Sequence, residues 1–435
     1  MAPFTPSLES SLENEIYRLQ SAADLDPLME RIGDARYVLL GEASHGTHEY
    51  YTWRAELSKR LIKEKGFSFI AVEGDWPDCY NINRWVKGYT DVGGTIVDVL
   101  HQFDRWPTWM WANWEIAALA EWLHSFNKSR PFNSKAGFYG LDVYSLWESM
   151  ELIVDYLEKE DPKAAEYARK AIDCFEPYGE AETYASALSM LKPDCKDAVV
   201  RLLQEVRQKS PSYDHDPEAR LNAEMNALVA ANGEKYYRTM ASFAGSSWNV
   251  RDLHMVETLH SLMNFHGPGA KVIIWEHNTH IGDARATSMA DRGLLNVGQL
   301  VREQHAPEEV VLVGFGSYEG SVIAGRAWGA PMQEMEVPPA TENSVEEILH
   351  SISPDNKLLI FNEQSPAVEE QFRGWLGHRA IGVVYNPEAE RGNYVPTKLT
   401  SRYDAFLYID RTKALHPLRM KPDGHLTPDL FPFGI

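Results

Sequence analysis

Tyr37-Val38-Leu39-Leu40-Gly41-Glu42-Ala43-Ser44-His45-Gly46-Thr47-His48-Glu49-Tyr50 is the stretch that decides the fold. Its four consecutive apolar residues read as a buried strand. Gly41 and Gly46 permit a tight turn, and Thr47 is placed to cap a helical pattern that runs over residues 47–65. The same strand-then-polar-end unit recurs outward along the chain. Residues 67–72 end in Glu73-Gly74-Asp75, residues 137–141 end in Asp142, and residues 271–275 end in Glu276-His277. Residues 310–313, 357–361, 379–385 and 406–409 also read as strands. Apolar runs alternating with amphipathic segments predict an α/β fold: a mostly parallel central sheet flanked by helices.

Between Asp142 and Lys271 the pattern changes. Residues 144–266 are rich in Ala, Glu, Leu and Lys and helical in period, with Pro193, Pro211 and Pro217 separating the helices. Strands resume afterwards, which favours a large helical insertion or cap over a separate domain. The expected division is residues 1–143 as the first part of the α/β core, 144–266 as the insertion, and 267–435 as the second part of the core.

The 435 residues suit one large α/β domain with insertions or two domains, and 44% hydrophobic with 24% charged residues is the mix of a folded protein. A net charge of −21 works against nucleic acid or an anionic membrane as the partner, since both would be repelled. Cys79, Cys174 and Cys195 are too few for a disulfide framework and too scattered for a thiolate metal site. The first residues lack the basic and apolar regions of a secretory signal, and no stretch reaches the about 18 apolar residues of a membrane span. The expectation is a soluble, cytoplasmic protein.

In a parallel α/β sheet, ligands bind beyond the carboxyl ends of the strands. Glu42, Glu73, Asp142 and Glu276-His277 all fall there, and the repetition carries more weight than any one of them. The alternative for each acid is capping the next helix. His45 falls at a helix start, where the dipole disfavours its protonation and keeps it available as a base. Arg54 lies seven residues past Thr47, two turns along the same helix face, placed either to stabilise an oxyanion or to make a surface ion pair with Glu56 or Glu49. His277 and His280 are three apart, a spacing that suits a metal or a proton relay.

Weaker features surround these. The indole-rich run that includes Trp106 and Trp109 can line a pocket for a bulky apolar or carbohydrate-bearing substrate, or pack a long loop. Arg251 begins a helix, turned towards the site, or its neighbour Asp252 simply caps that helix. No G-x-S-x-G, H-E-x-x-H or P-loop motif occurs. Gly314-Phe315-Gly316-Ser317-Tyr318-Glu319-Gly320 has the wrong spacing for a dinucleotide loop, so no nicotinamide cofactor is expected.

Taken together, Gly41-Glu42-x-Ser44-His45-Gly46-Thr47-x-Glu49, Val72-Glu73-x-Asp75-Trp76, Gly140-Leu141-Asp142, Arg251-Asp252-x-x-Met255 and Trp275-Glu276-His277-Asn278-x-His280 resemble, in order, the erythromycin esterase family. The resemblance implies a hydrolase without metal or other cofactor, in which a histidine activates water against a macrolactone or another bulky ester. By that match His45 is the general base. Glu42 and Glu73 orient the base, the water or both, Arg54 matches the family's arginine, and His277 and His280 match its later histidine pair. Asp75, Trp76, Trp106, Trp109, Asp142 and Arg251 are the residues expected to bind the substrate. The implied partner is a small molecule such as a macrolide, with no nucleic acid and no membrane, and oligomeric state is left open. Two other readings stand beside it. One is a metal-dependent hydrolase with Glu42, Glu73, His277 and His280 as ligands. The other is a non-catalytic binding or biosynthetic accessory protein whose acidic cleft holds a cationic amino-sugar.

Overall fold

A computed structural model describes residues 12, 14–89, 91–175, 195–209, 218–242, 246–362 and 365–420. The strands in chain order are β1 (Tyr17–Arg18), β2 (Tyr37–Leu40), β3 (Phe69–Asp75), β4 (Gly137–Asp142), β5 (Val272–Trp275), β6 (Val310–Gly325), β7 (Met332–Val337), β8 (Lys357–Ile360), β9 (Leu376–Arg379), β10 (Tyr394–Thr397) and β11 (Ala405–Thr412). The protein is α/β, with a mixed, mostly parallel sheet flanked by many helices. Two compact units divide the chain. The first comprises Met1–Ile70, Arg84–Gly137 and Ala270–Ile435; the second comprises Ala71–Asn83 and Phe138–Gly269.

In the first unit the sheet runs β1-β8-β11-β6-β2-β5, with β7 against β6. The β11/β6, β6/β2 and β2/β5 pairs are parallel; β1/β8, β8/β11 and β7/β6 are antiparallel. β2 lies inside the sheet with neighbours on both edges and helices over its faces, so all four of its residues are buried. That is why its sequence is uninterruptedly apolar rather than alternating. Its register pairs Leu40 with Trp275, so the chain leaves β2 and β5 side by side. The two motifs that follow these strands are thereby neighbours, and the Asn278 amide donates to the Glu42 carbonyl at 2.9 Å.

Helix His48–Lys65 follows β2 with Thr47 at its N-cap, as expected, but the Thr47 hydroxyl makes no capping bond and contacts the Ser44 hydroxyl instead. Gly46 is needed for a different reason from turn geometry. A Cβ placed there would lie 2.0 Å from the Ile323 carbonyl oxygen, and backbone has nowhere to yield. Gly46→Ala is expected to lower the unfolding free energy by about 1–3 kcal/mol, read as an earlier urea midpoint. An unchanged midpoint would contradict this account.

Two strand expectations need correcting in this unit. Residues 310–313 are only the start of β6, which continues to Gly325. The glycine run whose spacing was wrong for a dinucleotide loop lies inside this strand, where Cβ atoms at Gly314 and Gly316 would meet the Tyr403 and Phe406 rings at 2.6 and 2.7 Å. Residues 379–385 do not form one strand: β9 ends at Arg379, and only Ile381 and Val384 make isolated bridges, to Ser44 and Gly325.

The second unit holds most of β3, most of β4 and the helical segment. Gly140 lets β4 approach β3, since a Cβ there would lie 2.4 Å from the Gly74 carbonyl oxygen. Helices Leu146–Glu160, Pro162–Phe175, Lys196–Lys209, Ala219–Ser242 and Ser247–His266 follow. The first four share an apolar core that includes Ile153, Leu157, Ala168, Leu202, Val206 and Ala227. Pro193, Pro211 and Pro217, expected between these helices, lie outside the described residues. The cysteines are less scattered than they read: Cys174 and Cys195 form a disulfide, and Cys79 is a buried thiol. Among the described residues no helix is long and apolar enough to cross a membrane.

Candidate active site

Glu42, His45, Arg54, His277 and His280 belong to the first unit, as do Trp106 and Trp109. Glu73, Asp75, Trp76, Asp142 and Arg251 belong to the second. Each unit gathers its own polar cluster.

In the first unit the centre of the cluster is Glu42, only 1% exposed. One carboxylate oxygen accepts from His45 Nδ1 at 2.9 Å; the other accepts from an Arg54 guanidinium nitrogen at 2.5 Å. Donating from Nδ1 fixes the imidazole's tautomer, so Nε2 is its basic atom. The ring of His277 lies 5.0 Å from that of His45, tilted by 42°. His277 is the N-cap of the short helix Asn278–Ile281, and its Nδ1 meets the Thr279 hydroxyl at 2.8 Å. His280 is the third residue of that helix and is buried.

Arg54 meets neither of the surface carboxylates named as its alternative partners. It is fully buried, with its guanidinium 4.6 Å from the ring centres of both Tyr51 and Trp275. Its Nε donates to the Tyr50 carbonyl at 3.3 Å. Its guanidinium holds Glu42 rather than a surface partner, and the pairs with Glu49 or Glu56 do not form. Glu49 accepts from the Lys413 amide and Glu56 pairs with Lys59.

Tyr51 escaped the sequence reading, and Asn278 was read only as part of a motif, with no role given. The Tyr51 hydroxyl donates to the carbonyls of His45 and Met110 at 3.0 and 2.9 Å, fixing the backbone that carries the imidazole. Its position three residues before Arg54, on the same helix face, was the available signal. Asn278 donates to the Phe315 carbonyl at 2.6 Å and accepts from the Phe315 amide at 3.2 Å, locking the loop after β5 onto β6. Gly41 makes room for that amide, since a Cβ there would lie 2.0 Å from Asn278 Oδ1. Trp106 donates to the Ala330 carbonyl at 2.9 Å and packs on Trp109 and on Trp328, which is 63% exposed. Trp109 itself is enclosed.

In the second unit Arg251 is the hub. It grips both oxygens of Asp142 at 2.8 and 2.6 Å and donates to Glu73 at 2.7 Å. The Tyr144 ring lies 4.9 Å from the guanidinium carbon. Burial pushes the Asp142 carboxyl up, and the Arg251 charge and hydrogen bonds more than reverse this, so it ionises below the usual carboxylate range. Asp252 does not cap the helix; Ser246 does, and Asp252 is buried. Asp75 is nearly enclosed at the end of β3, and Trp76 is a core indole stacked between Tyr80 and Tyr139 with its N–H on Asn222.

His254 sits beneath this hub. The Asn232 amide donates to Nδ1 at 3.0 Å, so Nε2 carries the proton and donates to the Asp142 carbonyl at 3.2 Å. Burial lowers its pKa from the ordinary 6.5 to about 4. A base whose folded value lies below its unfolded value contributes stability that is present above about pH 6.5 and lost as pH falls through about 4. Between about pH 7 and about pH 5, His254→Gln is expected to lose about 2 kcal/mol less than the parent, measured by urea unfolding. Equal losses in the two proteins would exclude His254 as the source.

Comparison with known proteins follows the same residues. A sequence profile described as Erythromycin esterase matches residues 62–412, a span that takes in Glu73, Asp142, Arg251, His277 and His280 and begins beyond His45. An erythromycin esterase type II from Escherichia coli is 23% identical over 362 residues, covering 78% of this chain and 83% of that protein. In solved structures, a succinoglycan biosynthesis protein superposes with a TM-score of 0.76 at 20% identity, covering 94% of this chain and 97% of the other. An erythromycin esterase mutant in its open conformation superposes with a TM-score of 0.67 at 15% identity, covering 92% and 97%. These two likenesses show a shared fold; the profile match, which spans most of the sequence, shows the lineage. The chain belongs to the erythromycin esterase family.

Proposed function

We propose that the protein hydrolyses a macrolactone or another bulky carboxylic ester by activating water with His45. The observation that carries this reading is Glu42, one buried carboxylate bonded to both His45 Nδ1 and Arg54. A base held in one tautomer by a carboxylate, itself fixed by an arginine, is the oriented-base arrangement of hydrolytic enzymes. Family membership supports hydrolase chemistry of this type.

In the proposed reaction, Nε2 of His45 takes a proton from water as its oxygen attacks the ester carbonyl carbon. The carbonyl π pair moves onto oxygen. The tetrahedral intermediate then collapses, the acyl–oxygen bond breaks, and the imidazolium returns its proton to the leaving alkoxide. The products are a carboxylic acid and an alcohol, or a ring-opened hydroxy acid from a lactone. Glu42 stabilises the imidazolium, and Arg54 and Tyr51 hold the ring and its backbone in place. His277 packs beside the base, and His280 is the family-matched second imidazole. In the second unit, Glu73 keeps the family-matched part of a second carboxylate, held by Arg251. The partner is a small-molecule ester.

A panel of macrolides and simple esters, followed by mass spectrometry, is expected to show a gain of one water on at least one bulky ester or lactone. Well below the melting transition, a chelator is expected to leave that turnover unchanged. Turnover lost with chelator and restored by added metal would favour the metal-dependent reading. Ligand-induced thermal stabilisation without product would favour a binding protein.

A further inference from the structure

His48, Glu115 and His416 form a second polar cluster in the first unit, apart from the residues assigned to hydrolysis. Glu115 lies in the first turn of helix Trp114–Asn127, and its side chain is almost wholly buried. A single oxygen, Oε1, accepts from His48 Nδ1 at 2.6 Å and from His416 Nδ1 at 2.7 Å. The two imidazoles meet edge to face with ring centres 5.2 Å apart. One potential ligand atom from each of the three residues lies within 4.8 Å of the others.

The backbone around the cluster is fixed from three directions. The His48 amide donates to the Lys413 carbonyl at 2.9 Å, the Trp114 amide to the His416 carbonyl at 3.1 Å, and the Leu418 amide to the Ala112 carbonyl at 2.9 Å. His48 and Glu115 sit on helices, so two of the three groups have little freedom. The His416 side chain is 46% exposed, which gives an ion a route in and leaves one ligand able to adjust. Glu49, whose carboxylate accepts from the Lys413 amide at 2.8 Å, adds negative charge nearby, against the positive charge of Lys413.

We propose that His48, Glu115 and His416 bind a zinc-class divalent cation that fastens residues 413–418 to the starts of the two helices. Two imidazole nitrogens and one carboxylate oxygen are a borderline-soft donor set suited to Zn²⁺, with water completing a four-coordinate site. Ligand distances of about 2.0–2.2 Å require each nitrogen–oxygen separation to widen by about half an ångström, since the ion replaces the two shared protons. Each neutral imidazole then carries its proton at Nε2. Glu115 supplies the negative charge that a buried ion needs, and two of the ligands are already oriented before it arrives.

The test uses the full chain, stripped with chelator, incubated with Zn²⁺ and desalted for elemental analysis. Co²⁺ substitution reports the ligand field. The parent is expected to keep about one Zn²⁺ per chain, to melt at a higher temperature with Zn²⁺ than without, and to give a Co²⁺ spectrum typical of four-coordinate nitrogen–oxygen ligation. His416→Ala leaves the His48–Glu115 bond intact and is expected to fold, with Zn²⁺ affinity lowered at least about tenfold. His277→Ala is expected to keep the ion. No retained Zn²⁺ in the parent, equal retention in His416→Ala, or loss in His277→Ala with retention in His416→Ala would each overturn the assignment.

Discussion

Glu42→Ala is expected to destabilise the protein by about 3–5 kcal/mol and to abolish ester turnover in whatever remains folded. Glu42 and Arg54 are both buried, and Arg54 is 0% exposed. Removing the carboxylate leaves the guanidinium in the interior with, among the described residues, the Tyr50 carbonyl and two aromatic faces as partners. That desolvated charge, rather than the lost ion pair alone, makes the effect large. The double variant Glu42→Ala/Arg54→Met removes the stranded charge as well and is expected to recover a substantial part of the loss. Urea unfolding of the parent, the two single variants and the double variant measures the coupling. A double variant no more stable than Glu42→Ala would show that the buried charge is not the cause. Glu42→Gln separates the two effects. It keeps the shape but can present its N–H to the imidazole, so the tautomer is no longer fixed and kcat is expected to fall even where the fold survives.

His45→Asn is expected to leave stability nearly unchanged and to lower kcat about 10²–10⁴-fold on the ester found by the substrate panel. His45 lies in the loop before helix His48–Lys65, and its backbone is held by the Tyr51 hydroxyl whatever side chain it carries. The loss should therefore fall on kcat with KM little altered, since a base acts in the transition state more than in binding. Retention of parental turnover would remove His45 from the mechanism. A matched fall in stability would make it a packing residue.

The parts legible in the sequence are those in which local pattern and tertiary demand coincide. β2 matched its apolar run residue for residue, because a strand buried on both faces has no room for polar alternation. β5 and β8 were found for the same reason, and helix His48–Lys65 by its period. The pairing of the Glu42 and His277 motifs was readable once both were placed after parallel strands. Arg54 was placed on the right face, but its pairing with Glu42 was not foreseen. Its helix face was local information; the closeness of Glu42 depended on how the turn folds back.

Elsewhere the local signal pointed away from the outcome. Glycines in β6 superficially resembled a dinucleotide loop because small residues answer two needs, tight turns and close ring packing; spacing argued against the loop, and the neighbouring Tyr403 and Phe406 show what the glycines are for. Trp76 and Trp109 read as pocket walls, but an indole is a large apolar side chain first, and both are enclosed. The Cys174–Cys195 link joins residues 21 apart through a helical packing that no spacing rule encodes.

The sequence by itself determined the α/β class, the strand that centres the site, the helix that follows it and the family to which the motifs point. These are properties of short windows, where burial and hydrogen bonding act on neighbours in the chain. Tertiary structure alone decided which carboxylate each cation meets: Glu42 for Arg54, Asp142 and Glu73 for Arg251. It alone brought His416 to Glu115 across some three hundred residues of chain. The physical reason is that an ion pair or a shared proton depends on separations of about 3 Å in space, which sequence distance does not constrain until the sheet has closed.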